Sequence, residues 1–208
     1  MLALQSQIRP HFIYNTLNVI KWMAKIQGAK GIEDALTAFS GVIRFTAKTE
    51  SDYVTIREEV EFLRGYTKIL DFRYMNQFEV TIDVEPAVKE YKTLKFLLRP
   101  LVENAVFHGF EGIPYKGRLT IRIREEDGKL VMMVADNGKG MDPSQLKKTE
   151  ARGAADQMIS IGIKNIRERI ALHYGEGYGL QIVSGENSGT TATVIVPVIK
   201  DEEPGESK

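Results

Sequence analysis

Along the first third of the chain, apolar residues recur at helical spacing. With ~100° per residue, Ile8, Phe12, Val19, Met23 and Ile26 fall on one side, and Thr16, Leu17, Ile20 and Ala24 widen that side into a broad arc. Such a face predicts a helix that touches more than one neighbour, as in a bundle. Gly28 to Gly31 interrupts the pattern, and a second helix is predicted over 33–48, with Leu36, Phe39, Val42 and Ile43 inward. The two helices make a hairpin. A lone hairpin buries little surface, so dimerisation into a four-helix bundle is expected. A third helix is predicted over 55–74. Thr55 and Glu58 have the spacing of a capping box at its start, and Val60, Leu63, Ile69 and Leu70 form its apolar stripe.

After Asn76-Gln77 the period changes. Phe78, Val80, Ile82 and Val84 alternate with polar residues, which predicts a half-buried strand. A helix is predicted over 94–108. Leu119, Ile121 and Ile123 alternate again, 130–135 is a continuous apolar run, and Asp127-Gly128 between them is a hairpin turn signal. Residues 141–160 are polar and weakly periodic and read as a long loop, a feature that is usually functional inside a compact domain. A helix over 162–174 and strands over 179–184 and 190–196 complete the pattern. The expected class is α+β: a helical hairpin region over 1–75, a two-layer α/β sandwich over 76–200, and a disordered tail over 201–208.

The chain has 208 residues, 43% hydrophobic and 27% charged, enough for one ordinary core or two small ones. Its 28 basic residues balance 28 acidic ones, without the basic excess of a general nucleic-acid binder, so no nucleic-acid partner is expected. The absence of cysteine removes disulfides, thiol catalysis and cysteine-held zinc. With only His11, His108 and His173, a histidine-rich metal site is not expected either. No apolar run approaches the ~20 residues of a membrane span. The strongest motif starts a few residues after Met1, which suggests that further protein precedes it.

That motif is Q-S-Q-I-R-P-H-F-I-Y-N-T-L-N, residues 5–18. His11 lies at the edge of the apolar arc, with Gln7, Asn15, Asn18 and Trp22 as neighbours and Pro10 directly before it. Proline inside a helix frees a carbonyl and kinks the axis, an expensive choice beside an ordinary surface histidine. Neutral imidazole is a nucleophile at physiological pH. The segment closely resembles the phosphoacceptor box of LytS/YesM-type membrane sensor histidine kinases, whose pattern Q-x-Q-I-x-P-H-F-[IL]-[FY]-N-x-L-N it matches throughout. The resemblance implies that His11 is the phosphorylated residue. Phe12 stands where more common histidine kinases carry an acidic residue, which leaves the proton acceptor open. Asn15 either packs on the helix surface or orients a water for phosphatase action.

Three further segments bear on nucleotide binding: P-L-V-E-N-A-V-F-H-G from Pro100, D-N-G-K-G from Asp136, and S-I-G-I-K-N from Ser160 to Asn165, with Gly189-Thr190-Thr191 before the last strand. Asn104 offers a hard amide oxygen suited to Mg²⁺. Asp136 is acceptor-only and can take the amino hydrogens of adenine. Gly138 and Gly140 allow positive φ and close approach to a base. Gly162, read as opening a helix, would present free N–H groups to phosphate, and Thr191 could hold a water beside the adenine. His108 is either structural or a nucleotide contact. Singly these signals are poor, but their order resembles the GHKL ATPases, which include histidine kinases, type II topoisomerases, mismatch-repair ATPases and heat-shock chaperones. That resemblance implies a mixed sheet with helices on one face (the Bergerat fold), Mg²⁺-ATP as cofactor, and residues 141–160 as the ATP lid. Tyr66 to Arg73, Y-x-x-I-x-x-x-R, also looks like the family. Arg99 departs from the family's usual glutamine, and Ser160 and Ile163 depart from its second glycine box.

The expected function is that of a sensor histidine kinase core: ATP-dependent phosphorylation of His11, then transfer to an aspartate of a response-regulator receiver domain, in a homodimer whose membrane sensor lies outside this chain, at the cytoplasmic face. The alternatives are a non-catalytic ATP-binding dimerisation module and another GHKL-class ATPase or kinase.

Overall fold

The computed structural model describes residues 10–47, 51–141 and 157–200. The first nine residues, most of the 141–160 loop and the 201–208 tail lie outside the described residues. Helix α1 (Pro10–Ile26) and α2 (Lys30–Ala47) form the expected hairpin across Gly28, whose φ is +68°. Leu17 and Ala24 of α1 and Phe45 of α2 are buried. Phe39, expected inward, is exposed; Phe45 is buried instead, stacked on Phe62 of the next helix with ring centroids 4.7 Å apart.

That helix, α3 (Ile56–Arg73), opens with the capping box predicted for it. The Glu58 amide donates to Thr55 Oγ1 (3.2 Å) and the Thr55 amide to Glu58 Oε2 (3.0 Å). Two short strands escape the sequence pattern. β1 (Tyr53–Thr55) pairs antiparallel with β3 (Lys92–Leu94), so a ribbon fastens the start of α3 to the chain beyond β2 (Phe78–Val84).

The helix expected over 94–108 starts later. Leu94 ends β3, Phe96 has φ +61°, and helix α4 covers only Arg99–Asn104. The cause is tertiary. The carboxylate of Glu59 on α3, fully buried, accepts the amides of Phe96 (3.1 Å) and Leu98 (3.4 Å), drawing the backbone into a turn just where helix would otherwise begin. After Asn104 the chain makes a π-helical turn, Ala105–Gly109, closed by the Phe110 amide on Ala105 O at 2.9 Å.

β4 (Gly117–Glu126) and β5 (Lys129–Asp136) form a hairpin through Asp127 (φ +49°) and Gly128 (φ +71°), the two positive φ values of a type I′ turn. Helix α5 (Gln157–Tyr174), β6 (Gly179–Ser184) and β7 (Thr190–Pro197) follow. The sheet order is β2-β4-β5-β7-β6, with only β2 and β4 parallel. Alternation decides its two faces. Leu119, Ile121, Ile123, Leu130, Met132, Val134, Val194 and Val196 point into one core, which Leu63 and Leu70 of α3, Leu101 and Val102 of α4 and Ile166 and Ile170 of α5 complete. The opposite face carries exposed Glu79, Asp83, Arg118, Arg122 and Arg124. The two-layer α+β class expected from the sequence is therefore the class observed. No helix among the described residues is long and apolar enough to cross a membrane.

Candidate nucleotide-binding site

Where α4, the π turn and the ends of β5 and β7 meet, a cavity of about 310 Å³ opens. Its lining includes Asn104, His108, Asp136 and Gly140, four residues singled out from sequence. Asn104 is the last residue of α4 and His108 sits in the π turn, a distortion often found at functional sites. Leu101, Ala105, Val134, Ile163 and Ala192 supply apolar walls.

Asp136 is the last residue of β5. Its Oδ1 accepts the Gly138 amide at 2.8 Å and the Thr190 amide at 3.2 Å. Burial raises its carboxyl above the ordinary value, and the two amides act against that rise. With Oδ1 held, Oδ2 is left as the acceptor for a ligand.

Gly109 and Gly140 line the cavity; Gly138, also expected there, is not among the lining residues but packs against Gly109. A Cβ at Gly138 would lie 2.3 Å from Gly109 O, and one at Gly140 (φ +65°) would lie 1.9 Å from Gly185 O, so both turns require the bare backbone. The Lys139 amide donates to Gly109 O (2.9 Å) and the Asn187 amide to Lys139 O (2.7 Å), tying this turn to the π turn on one side and to the β6–β7 turn on the other. Lys139 Nζ pairs with Glu111 Oε2 at 3.0 Å, and both residues line the cavity.

Three expectations are corrected. Gly162 does not open a helix: α5 begins at Gln157, so Gly162 lies inside it, facing Pro100. Asn165 is exposed and does not line the cavity; Ile163 is the wall residue from that motif. Thr191 is replaced by Thr190. Ala192, Val194 and Val196 are buried, and period two places Thr190 with them and Thr191 on the other face. Thr190 lines the cavity and its Oγ1 lies 2.8 Å from Ser184 Oγ, which also accepts the Met141 amide at 2.9 Å. The alternation of β7, read backwards from its apolar residues, was the available signal. Nothing in the sequence pointed to Ser184; Lys139 sits inside the D-N-G-K-G motif but was given no role there. His11 is the second residue of α1, with Asn15 one turn on, in the hairpin and apart from the cavity walls.

A carboxylate at a strand end, an asparagine on the facing helix and a glycine-bearing turn beneath a mixed sheet define an ATP-binding module of the GHKL type. Comparison with known proteins makes that more specific. Residues 1–78 match the histidine kinase family, and residues 89–200 match the histidine kinase-, DNA gyrase B- and HSP90-like ATPases. The chain belongs to the histidine kinase-, DNA gyrase B- and HSP90-like ATPases. It is 38% identical over 94% of its length to the sensor histidine kinase YesM of Bacillus subtilis, and 28% identical over 93% to the sensor histidine kinase BtsS of Escherichia coli. It covers 33% of the first and 32% of the second, so it spans about a third of the curated relatives it matches. In fold it is similar to the histidine kinase domain of the Erythrobacter litoralis EL346 blue-light activated histidine kinase, with a TM-score of 0.53, 15% identity, and coverage of 91% of this chain and 94% of that one.

Proposed function

We propose that this chain is the catalytic core of a two-component sensor histidine kinase that transfers the γ-phosphoryl group of ATP to its own His11. The observation that carries the reading is the convergence of Asn104, Asp136 and the Gly138–Gly140 turn on one cavity, in a chain that also bears the P-H-F motif on a helical hairpin. The cavity suits the ligand. Its volume of about 310 Å³ has room for a purine, its apolar walls fit the faces of the ring, and Asp136 Oδ2 accepts the exocyclic amino group.

Asn104 would hold Mg²⁺ through its amide oxygen, and the ion, when bound, neutralises phosphate charge. The chain's own residues orient the nucleotide and present the acceptor, which is most of what phosphoryl transfer demands. A neutral ring nitrogen of His11 attacks the γ-phosphorus; the N–P bond forms, the bond to the bridging oxygen breaks, and ADP leaves. Phe12 has no proton-accepting group, so the N–H proton that the phosphorylated ring gives up passes to water. The phosphoryl group then passes to an aspartate of a response-regulator receiver domain.

The hairpin acts in this reading as a homodimer. Val19, Trp22, Met23 and Ile26 on α1 are each more than half exposed, Ile26 at 82%. Between α2 and α3, Ile32, Leu36, Phe39, Ile69 and Phe72 line an apolar groove. Patches of this kind mark interaction sites, and a second hairpin is the partner this reading assigns to them. Membrane attachment comes, in this reading, from protein outside the chain.

The test is labelling with γ-labelled ATP and Mg²⁺ in the chain, in His11→Gln and in Asp136→Asn. Acid-labile, alkali-stable label that is absent from both variants is the expected result. Label that persists in His11→Gln would end the histidine kinase reading in favour of another ATPase-type activity.

A further inference from the structure

Helix α4 has six residues, far below the ~12–15 at which an isolated helix becomes even marginal in water. Its position therefore depends on what it is fastened to. Leu101 and Val102 anchor it in the core, and Glu59 of α3 holds the amides just before it. A second polar tie reaches α4 from the same helix. The Tyr66 hydroxyl donates to Glu103 Oε1, the same oxygen accepts Arg99 Nε at 2.9 Å, and the Arg99 guanidinium lies 5.5 Å from the centre of the Tyr66 ring. Burial, with help from Glu103, pushes the Tyr66 phenol up to about 12, so it stays a donor throughout the physiological range.

Glu103 and Asn104 are consecutive, ~100° apart around the helix. One faces α3 and the other lines the nucleotide cavity. A rotation of α4 that displaced one would displace the other. Directly after Asn104 the α-helical ladder gives way to the π turn.

We propose that Tyr66, acting through Glu103 with Arg99, is a positioning residue for Asn104 and so sets how the cavity holds a nucleotide together with a divalent cation. The proposal rests on the ATP-binding reading above. It gives Arg99, which departs from the family's usual glutamine, a defined task as the second donor to Glu103. It also joins the hairpin to the cavity. α3 packs on α2 through Phe62 on Phe45, and a Cβ at Gly65, next to Tyr66, would lie 3.2 Å from Ala38 O. A shift of α2 against α3 is thus felt one residue from the hydroxyl that holds Glu103.

The experiment measures binding of a fluorescent ATP analogue to the full 208-residue chain, with Mg²⁺ and with EDTA, in the wild type, Tyr66→Phe, Glu103→Gln, Glu103→Ala and the Tyr66→Phe/Glu103→Ala double variant. Tyr66→Phe is expected to reduce the Mg²⁺-dependent gain in affinity about three- to tenfold, the net range of an ordinary lost hydrogen bond, with EDTA binding unchanged. Glu103→Gln keeps an oxygen for the Tyr66 hydroxyl and should lose less than Glu103→Ala. In the Glu103→Ala background Tyr66→Phe should add nothing. An unchanged Mg²⁺-dependent gain in Tyr66→Phe, or fully additive losses in the double variant, overturns the proposal. Labelling of His11 in the same samples judges the kinase reading separately: a chain that binds Mg²⁺-nucleotide with the expected pattern but does not label His11 sinks that reading and supports the positioning role. A wild-type chain that binds no nucleotide overturns both.

Discussion

Gly138 lies so close to Gly109 that a Cβ on the former would sit 2.3 Å from the carbonyl oxygen of the latter. The strand-end turn and the π turn thus share one wall, and neither can move without the other. Gly138→Ala is expected to cost about 3 kcal/mol, at the upper end for overpacking against backbone. Gly28→Ala is the control. Gly28 has φ +68° with nothing within 4 Å of its would-be Cβ, so only the left-handed backbone penalty of ~1–2 kcal/mol applies. Urea midpoints of the two variants check this, and equal shifts would show that the two turns yield independently.

Asp136→Asn should weaken nucleotide binding at least tenfold while the fold persists. The amide oxygen can still accept the Gly138 and Thr190 amides, but the amide nitrogen then points a donor at the adenine amino group. Because burial raises the Asp136 carboxyl, the binding-competent charged form is lost on acidification at a higher pH than for an ordinary aspartate. A titration of nucleotide affinity against pH, with the thermal midpoint of each sample recorded, tests both points.

Glu59 gives stability a pH dependence. Burial pushes its carboxyl from the ordinary 4.5 up to about 7, against the pull of the Phe96 and Leu98 amides and of Arg169. Between pH 4.5 and about 7 the unfolded chain gives up this proton while the folded chain keeps it. Stability is therefore expected to fall as pH rises through that window, by on the order of 3 kcal/mol for this group, and to level off above it. Glu59→Gln should flatten the slope between pH 5 and pH 8 in urea unfolding. Parallel slopes in the two proteins would remove Glu59 as the cause.

The capping box offers a local test. Thr55→Ala removes the acceptor for the Glu58 amide and is expected to cost about 1 kcal/mol. Thr55→Ser should restore most of it, as read from the midpoint of thermal unfolding.

How far the sequence was legible depended on whether local pattern or tertiary contact decided each element. β2 and β6 have the limits expected of them, and the Asp127-Gly128 turn and the Thr55 cap are where local chemistry placed them. The β1–β3 ribbon was invisible because three residues show no period. Leu94 to Leu98 read as helix because their apolar spacing suits one; Glu59, far away in sequence, captures two amides there and overrides that preference. At the site, Asn104, His108, Asp136 and Gly140 do line one cavity. Thr191 failed by one position, which in a strand means the opposite face. Lys139 came with the D-N-G-K-G motif, whereas Ser184 could not have been found, since only the meeting of β6 and β7 brings it to Thr190.

The order of the strands also has a consequence for synthesis. β5 is the middle strand of the sheet, but its two neighbours arrive at different times. β4 precedes it and pairs within a hairpin that closes in microseconds; β7 follows far behind, with Asp136 and Thr190 separated by 54 residues. On the ribosome the second edge of β5 stays bare until β7 has emerged. Its apolar run, Leu130 to Val134, is then an open template for pairing with another nascent chain. β7 is the strand that retires that hazard, so a chain stopped short of Thr190 would be prone to aggregate rather than simply be inactive.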